Sequence, residues 1–330
     1  MVRGAAAPRA GGTATVNMPL VIAGILLGLG ALAACAPQPA ATAPTTTTTP
    51  ATTATSPKAA TATPVRFTPP AEATIPASPL GEAIRAGRAI FTDTPGHAKA
   101  YVGNGLSCSN CHLDAGRRAD SAPLWGAWGM YPQYRKKNGH VNSFGERLQG
   151  CFEFSMNGKA PPLDSPEIAA LEAYAWWMAQ GAPVGKKLPG AGYPKGAKPP
   201  QPPDYARGAA VYATSCALCH GADGQGQQVA GRNVFPPLWG PQSFNWGAGM
   251  HQLDNAAAFI KANMPFSRGG TLSDQDAWDV AMYMDGHERP QDPRFNGNVA
   301  ATRKAFHDDP DSLYGTEVDG HRLGSQPLKK

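Results

Sequence analysis

Two pentapeptides in the chain carry the same chemistry: Cys108-Ser-Asn-Cys111-His112 and Cys216-Ala-Leu-Cys219-His220. C-x-x-C-H is the attachment signature of c-type haem. Two thiols a helical turn apart can form thioethers with the two vinyl groups of one haem, and the adjoining imidazole supplies the proximal iron ligand. Zinc would require a second pair of ligands for each C-x-x-C, and disulfides would not require a histidine after both pairs. Two covalently bound haems c are therefore expected, on Cys108, Cys111 and His112 and on Cys216, Cys219 and His220. Of the six cysteines in the chain, this leaves Cys35 and Cys151.

Helices must frame each signature. Upstream, GEAIRAGRAIFTD (Gly81 to Asp93) and DYARGAAVYATS (Asp204 to Ser215) place apolar residues at i, i+3, i+4, the pattern of an amphipathic helix. Downstream, SPEIAALEAYAWWMAQG (Ser165 to Gly181) and SDQDAWDVAMYMDG (Ser273 to Gly286) each open on a serine cap and close at a glycine. These read as the first and last helices of two cytochrome c domains, with Trp176 and Trp177 as core residues. Between the helices each unit carries a similar hexapeptide, SAPLWG (Ser121 to Gly126) and FPPLWG (Phe235 to Gly240).

Counting from the proline before leucine aligns the two units. The same address falls on Met264, in NMPFSRGG, and on Cys151, in GCFEFSMNG. Cytochromes of this kind carry a distal methionine ligand ahead of the last helix, so Cys151 stands where the other unit has its methionine. His220 and Met264 would form a His/Met pair, which favours ferrous iron, with Met250 as the rival ligand. His112 and Cys151 would form a thiolate-ligated haem of lower potential. The other account of Cys151 is a buried inert thiol, with Met156 as the ligand instead.

The surroundings of Cys151 suggest chemistry on an anion. If residues 145–156 are helical, Arg147 and Ser155 lie four residues to either side of it, on one face. Arg117 and Arg118 follow the first signature, and Arg135, Lys136 and Lys137 precede the cysteine. Such a cluster would keep a thiol ionised and hold a small dianion against its sulfur; Lys136 reads better as a solvated surface charge. No such cluster closely follows the second signature, which makes the first haem the candidate reaction centre.

The rest of the chain concerns delivery. Arg3 and Arg9 precede an apolar run from Met18 to Ala34, the layout of a secretory signal. Leu32-Ala33-Ala34-Cys35 resembles a bacterial lipobox, in which cleavage leaves an acylated cysteine; an uncleaved membrane anchor is the alternative. Expected boundaries are residues 1–34 for the signal, 35–76 for the acylated cysteine and an Ala/Thr/Pro tether too polar to fold, 77–184 for the first cytochrome domain, 185–203 for a linker, 204–288 for the second domain and 289–330 for a strap laid over both. The formal charge of +5 is mild, and no arginine-rich face with aromatics appears, which argues against nucleic acid as a partner.

LSCSNCHLDAGR, APLWGAWGMYPQYRKKNG, ERLQGCFEFSMNGKAPPLDSPE, SFNWGAGMH and FIKANMPFSRGG resemble the motifs of dihaem thiosulfate dehydrogenases, a family related to the Cys-ligated haem subunit of the Sox cytochromes. The resemblance implies an all-α fold of two tandem cytochrome c domains. It implies oxidation of two thiosulfates to tetrathionate, a reaction some members also reverse. It implies His112/Cys151 and His220/Met264 ligation, with Arg147, Ser155 and one of Arg135 or Lys137 at the substrate. Some members carry a lysine beside the second haem's methionine that exchanges with it on reduction; Asn263 stands there in this chain, which speaks against such a switch. Electrons would leave for an external cytochrome c or high-potential iron-sulfur protein, from an exported, lipid-anchored enzyme. A membrane-tethered dihaem shuttle without chemistry of its own shares every feature except Cys151 and the cations around it.

Overall fold

The computed structural model describes residues 66–194, 196–326 and 328. Cys35, the apolar run and most of the Ala/Thr/Pro segment lie outside the described residues.

The first lobe is built on two crossed helices. Helix α1 (Pro79–Thr92) starts where Ser78 accepts a hydrogen bond from the Gly81 amide at 3.3 Å, with proline at its first position. Between α1 and the last helix of the lobe come a short antiparallel pair, β1 (Gln133–Arg135) and β2 (His140–Asn142), and helix α2 (Phe144–Gly150). Helix α3 (Pro166–Met178) opens on Ser165, which accepts from the Ile168 amide. A Cβ added at Gly87 of α1 would lie 2.0 Å from the Ala170 carbonyl oxygen of α3. The helices therefore touch backbone to backbone at that glycine, and Ile84, Phe91, Leu171 and Tyr174 close the core around the contact.

The second lobe repeats the device. Helix α4 (Tyr205–Ser215) is capped by Asp204. It is followed by the antiparallel pair β3 (Gln227–Val229) and β4 (Arg232–Phe235), then α5 (Leu253–Asn263) and α6 (Asp274–Asp285), the last capped by Ser273. A Cβ at Gly208 would lie 2.0 Å from the Asp279 carbonyl oxygen, the same crossing between first and last helix. The expected helices are present within a few residues at each end.

Three expectations need adjusting. Trp177 is buried, but Trp176 is 36% exposed, because neighbours on a helix point about 100° apart and only one can face the core. The tether was expected to reach residue 76, yet the chain is already packed on the first lobe from Arg66: that residue pairs with Asp120 at 3.0 Å, Phe67 meets the Trp125 ring at 5.4 Å, and Arg117 donates to the carbonyls of Pro69 and Pro70. Segment 185–203 does more than separate the lobes: Asp120 and Ala122 donate to the carbonyls of Gly190 and Gly192, and Trp278 donates to that of Ala197.

The C-terminal region, though weakly periodic in sequence, contains helix α7 (Val299–Phe306) and a small pair, β5 (Glu317–Val318) and β6 (His321–Arg322). Tyr314 and Leu323 are fully buried. Arg294 lies 5.0 Å from the Phe154 ring of the first lobe, while Pro290 accepts from the Trp246 amide of the second, so this region touches both. Among the described residues no helix is long and apolar enough to cross a membrane.

Candidate active site and the two haem cavities

Each C-x-x-C-H lies on a cavity. Cys108, Cys111 and His112 line a space of about 500 Å3 in the first lobe; Cys216, Cys219 and His220 line one of about 290 Å3 in the second. Leu106, Asn110, Cys111, Phe244 and Met250 border both and form a common wall.

The cavities fit c-type haem in two respects. His112 Nδ1 donates to the Ala122 carbonyl at 2.7 Å and His220 Nδ1 to the Pro236 carbonyl at 2.9 Å. Those carbonyls belong to, or directly precede, the proline-leucine step of the repeated hexapeptides, so their job is to fix each ring with Nε2 as the remaining ligand nitrogen. Burial lowers the pKa of both imidazoles, which suits a neutral ligand. Burial also pushes the thiols up, Cys108 to about 12 and Cys111 and Cys216 to about 11; the pockets favour uncharged sulfur, as a thioether is.

The third cysteine enters the first cavity from an unusual turn. Ser143 and Glu146 form a capping box at the start of α2. After Gly150 the helix widens into a π turn over Cys151–Ser155, closed by a bond from the Met156 amide to the Cys151 carbonyl at 3.0 Å. The regular α-helix anticipated over 145–156 is thus interrupted at Cys151, and such π segments are frequent at functional sites. Arg147 Nη1 donates to Cys151 Sγ at 3.0 Å. The sulfur's charge is the largest influence on that guanidinium and pushes its pKa higher still.

The predicted cations divide. Arg135, Arg147, Ser155 and Cys151 all line the first cavity with His112, and buried Met156 shares the wall. Lys137 is not among the lining residues. Its amine donates to the Gly247 carbonyl and lies 3.5 Å from the centre of the Phe154 ring. Although the residue as a whole is exposed, its amine turns inward, and burial, then Arg294 and Arg147, bring its pKa down to about 7. Arg117 is occupied by the Pro69 and Pro70 carbonyls, and Arg118 lies 5.0 Å from the Phe266 ring at the second cavity; the basic cluster is smaller than the sequence suggested. In the second lobe Met264 lines the cavity, and Asn263 is buried, donating to the Asp120 and Phe259 carbonyls.

Residues 87–184 match the SoxA/TsdA cytochrome c domain, and residues 203–284 match cytochrome c oxidase, cbb3-type, subunit III. A thiosulfate dehydrogenase of Thiomonas intermedia is 60% identical over 259 residues, covering 78% of this chain and 82% of that protein. The chain belongs to the thiosulfate dehydrogenase family. A second member, from Stutzerimonas stutzeri, is 58% identical over 260 residues, 78% of this chain and 85% of that protein. The solved structure of the thiosulfate dehydrogenase TsdBA of Marichromatium purpuratum, in its as-isolated form, matches with a TM-score of 0.77 at 50% identity; the match covers 79% of this chain and 58% of that one. The chain is two tandem cytochrome c domains with two covalent haems c, as the paired signatures led one to expect.

Several site residues escaped the sequence reading. Lys187, Gly192 and Tyr193, from the segment taken as a linker, line the first cavity. The carbonyls of Ala122 and Pro236 could have been found, since both lie in the hexapeptide repeat.

Proposed function

We propose that this chain is a thiosulfate dehydrogenase that joins two thiosulfates into tetrathionate with release of two electrons, and that the first cavity is its active site. The bond from Arg147 to Cys151 Sγ at 3.0 Å, in the cavity that Arg135 and Ser155 also line, carries the reading. An electron relay has no need of a guanidinium on a sulfur or of a second arginine beside it.

When bound, the first haem would be held by Cys108, Cys111, His112 and Cys151 and the second by Cys216, Cys219, His220 and Met264, and each would accept one of the two electrons that the coupling releases. The rest is done by side chains. Arg147 donates a hydrogen bond to the Cys151 sulfur and so fixes its direction in the cavity. Arg147 and Arg135 offset the charge of the entering dianion, and the Ser155 hydroxyl donates to a sulfonate oxygen. One sulfur–sulfur bond forms between the outer sulfurs of two thiosulfates, either directly or by displacement from a transient adduct on Cys151. Coupling consumes no proton, so the cavity needs cations and no general base.

Electrons then leave to an external cytochrome c or high-potential iron-sulfur protein. The charged N-terminus, apolar run and Leu32-Ala33-Ala34-Cys35 support export and lipid attachment at Cys35. The deciding experiment is dye-coupled thiosulfate oxidation by the dihaem protein and by Cys151→Met with both haems attached. Oxidation is expected in the parent and its loss in the variant; a variant working at the parent rate would remove Cys151 from the reaction.

A further inference from the structure

The π turn that presents Cys151 cannot satisfy its own carbonyls. In a widened turn only the first acceptors find partners within the helix, and the others need outside donors or a desolvation penalty follows. Every carbonyl from residue 151 to 156 is accounted for. Those of Cys151 and Phe152 accept from the amides of Met156 and Gly158, and that of Met156 from Gly103. The three between are held by two buried asparagines. Asn245 Nδ2 donates to the Glu153 carbonyl at 2.9 Å, and the Asn245 amide to that of Phe154 at 3.2 Å. Asn104 Nδ2 donates to the Ser155 carbonyl at 3.0 Å.

Both carboxamides use two donor bonds and one acceptor bond. Asn245 Nδ2 also reaches Asn157 Oδ1, and its Oδ1 accepts from the Gly247 amide. Asn104 Nδ2 also reaches the Ser243 carbonyl, and its Oδ1 accepts from the Leu106 amide. They are 1% and 7% exposed. The loop 243–247 belongs to the second lobe, yet it grips the turn that carries the reactive sulfur of the first. Gly247 leaves room for the grip: a Cβ there would lie 2.3 Å from the Phe154 ring.

We propose that Asn245 and Asn104 are positioning residues for the reaction. Asn245 holds the π turn so that Cys151 faces His112 across the cavity, Asn104 holds Ser155 at the substrate, and the second lobe thereby completes the active site of the first. This rests on the reading of Cys151 and Ser155 given above.

The test uses the dihaem holoprotein with Asn245→Ser and, separately, Asn104→Ser. Asn245→Ser is expected to split or broaden the ferric low-spin EPR signal of the thiolate-ligated haem while leaving the His/Met signal unchanged. It should lower kcat for thiosulfate about 10-fold, the range seen when a residue supporting a ligand is lost. Asn104→Ser is expected to raise KM with a smaller change in kcat. An unchanged thiolate-type signal with kcat within about two-fold of the parent would overturn the proposal, as would equal disturbance of both haem signals. Failure of both variants to accumulate as dihaem protein would also count against it, since a purely structural role would then suffice. A parent without a thiolate-type signal would sink the reading of Cys151 first, and this proposal with it.

Discussion

Arg147 Nη1 and Cys151 Sγ are 3.0 Å apart, separated by one turn at the point where helix α2 widens. On the proposed reading, a guanidinium so placed serves the sulfur and an incoming anion together. Truncating one partner of a hydrogen-bonded charge pair costs about 2 kcal/mol or more. For Arg147→Ala, kcat/KM for thiosulfate is therefore expected to fall by at least ~30-fold. Arg147→Lys, which keeps the charge without the planar donor, should fall in between; steady-state assays at fixed ionic strength would check both.

Arg135 and Lys137 are near in sequence and differ in what they face. Arg135 lines the cavity, while Lys137 turns its amine to Gly247 and Phe154. Arg135→Ala is expected to raise KM for thiosulfate about 10-fold or more while leaving thermal stability nearly unchanged, as removal of a ground-state anion contact would. Lys137→Met should change KM little. The opposite pattern in the two variants would reassign the anion contact to Lys137.

The two helix crossings give a stability test. A methyl at Gly87 or Gly208 would stand 2.0 Å from a carbonyl oxygen of the facing helix, so the helices must separate. Overpacking of this kind costs roughly 1–3 kcal/mol. Gly87→Ala and Gly208→Ala should each lower Tm by several degrees in thermal melts, whereas alanine at Gly139, which has open space around it, should act only through its left-handed φ of 73°.

The capping box of α2 should report on pH. The Ser143 amide and then His140 hold the Glu146 carboxyl down at about 2, and Glu146 raises the His140 imidazole above its ordinary 6.5. A depressed carboxyl contributes stability above its unfolded value near 4.5 and loses it as pH falls through about 2. A raised imidazole contributes below 6.5 and loses it as pH rises through its folded value. The Tm difference between the parent and Glu146→Ala should therefore be greatest near pH 5–6, shrink toward pH 2, and shrink again as pH rises above 6.5 through the raised value of His140.

How much of this was legible in the sequence depended on the kind of constraint. Cys108, Cys111, His112 and their second-lobe counterparts could be read directly, because covalent attachment allows one spacing. The address of Cys151 followed from an internal repeat. The bonds of Asn104 and Asn245 could not be read, although Asn245 lies in SFNWGAGMH, since they run across 51 and 92 residues of chain to carbonyls that carry no side-chain identity. The division between Arg135 and Lys137 was also hidden: the first sits in strand β1 and the second in the turn after it, and the direction of a turn residue is decided by tertiary contacts. Residues from Arg66 looked like tether because prolines carry their packing there, with the Pro69 and Pro70 carbonyls as acceptors for Arg117.

The stretch from Gly185 to Pro203 has a meaning for how the gene can be rearranged. It lends carbonyls to Asp120 and Ala122 and side-chain lining to the first cavity, then anchors at Trp278 and Gln275 of helix α6. Ala122 in turn is the residue whose carbonyl orients His112. A chimera that joined this first cytochrome to a foreign one at the proline-rich stretch would thus disturb an imidazole linked to Gly192 through the backbone of Ala122. The natural unit of exchange is the pair with its belt, so a recombinant half, however well bounded in sequence, would begin with its haem pocket unlatched.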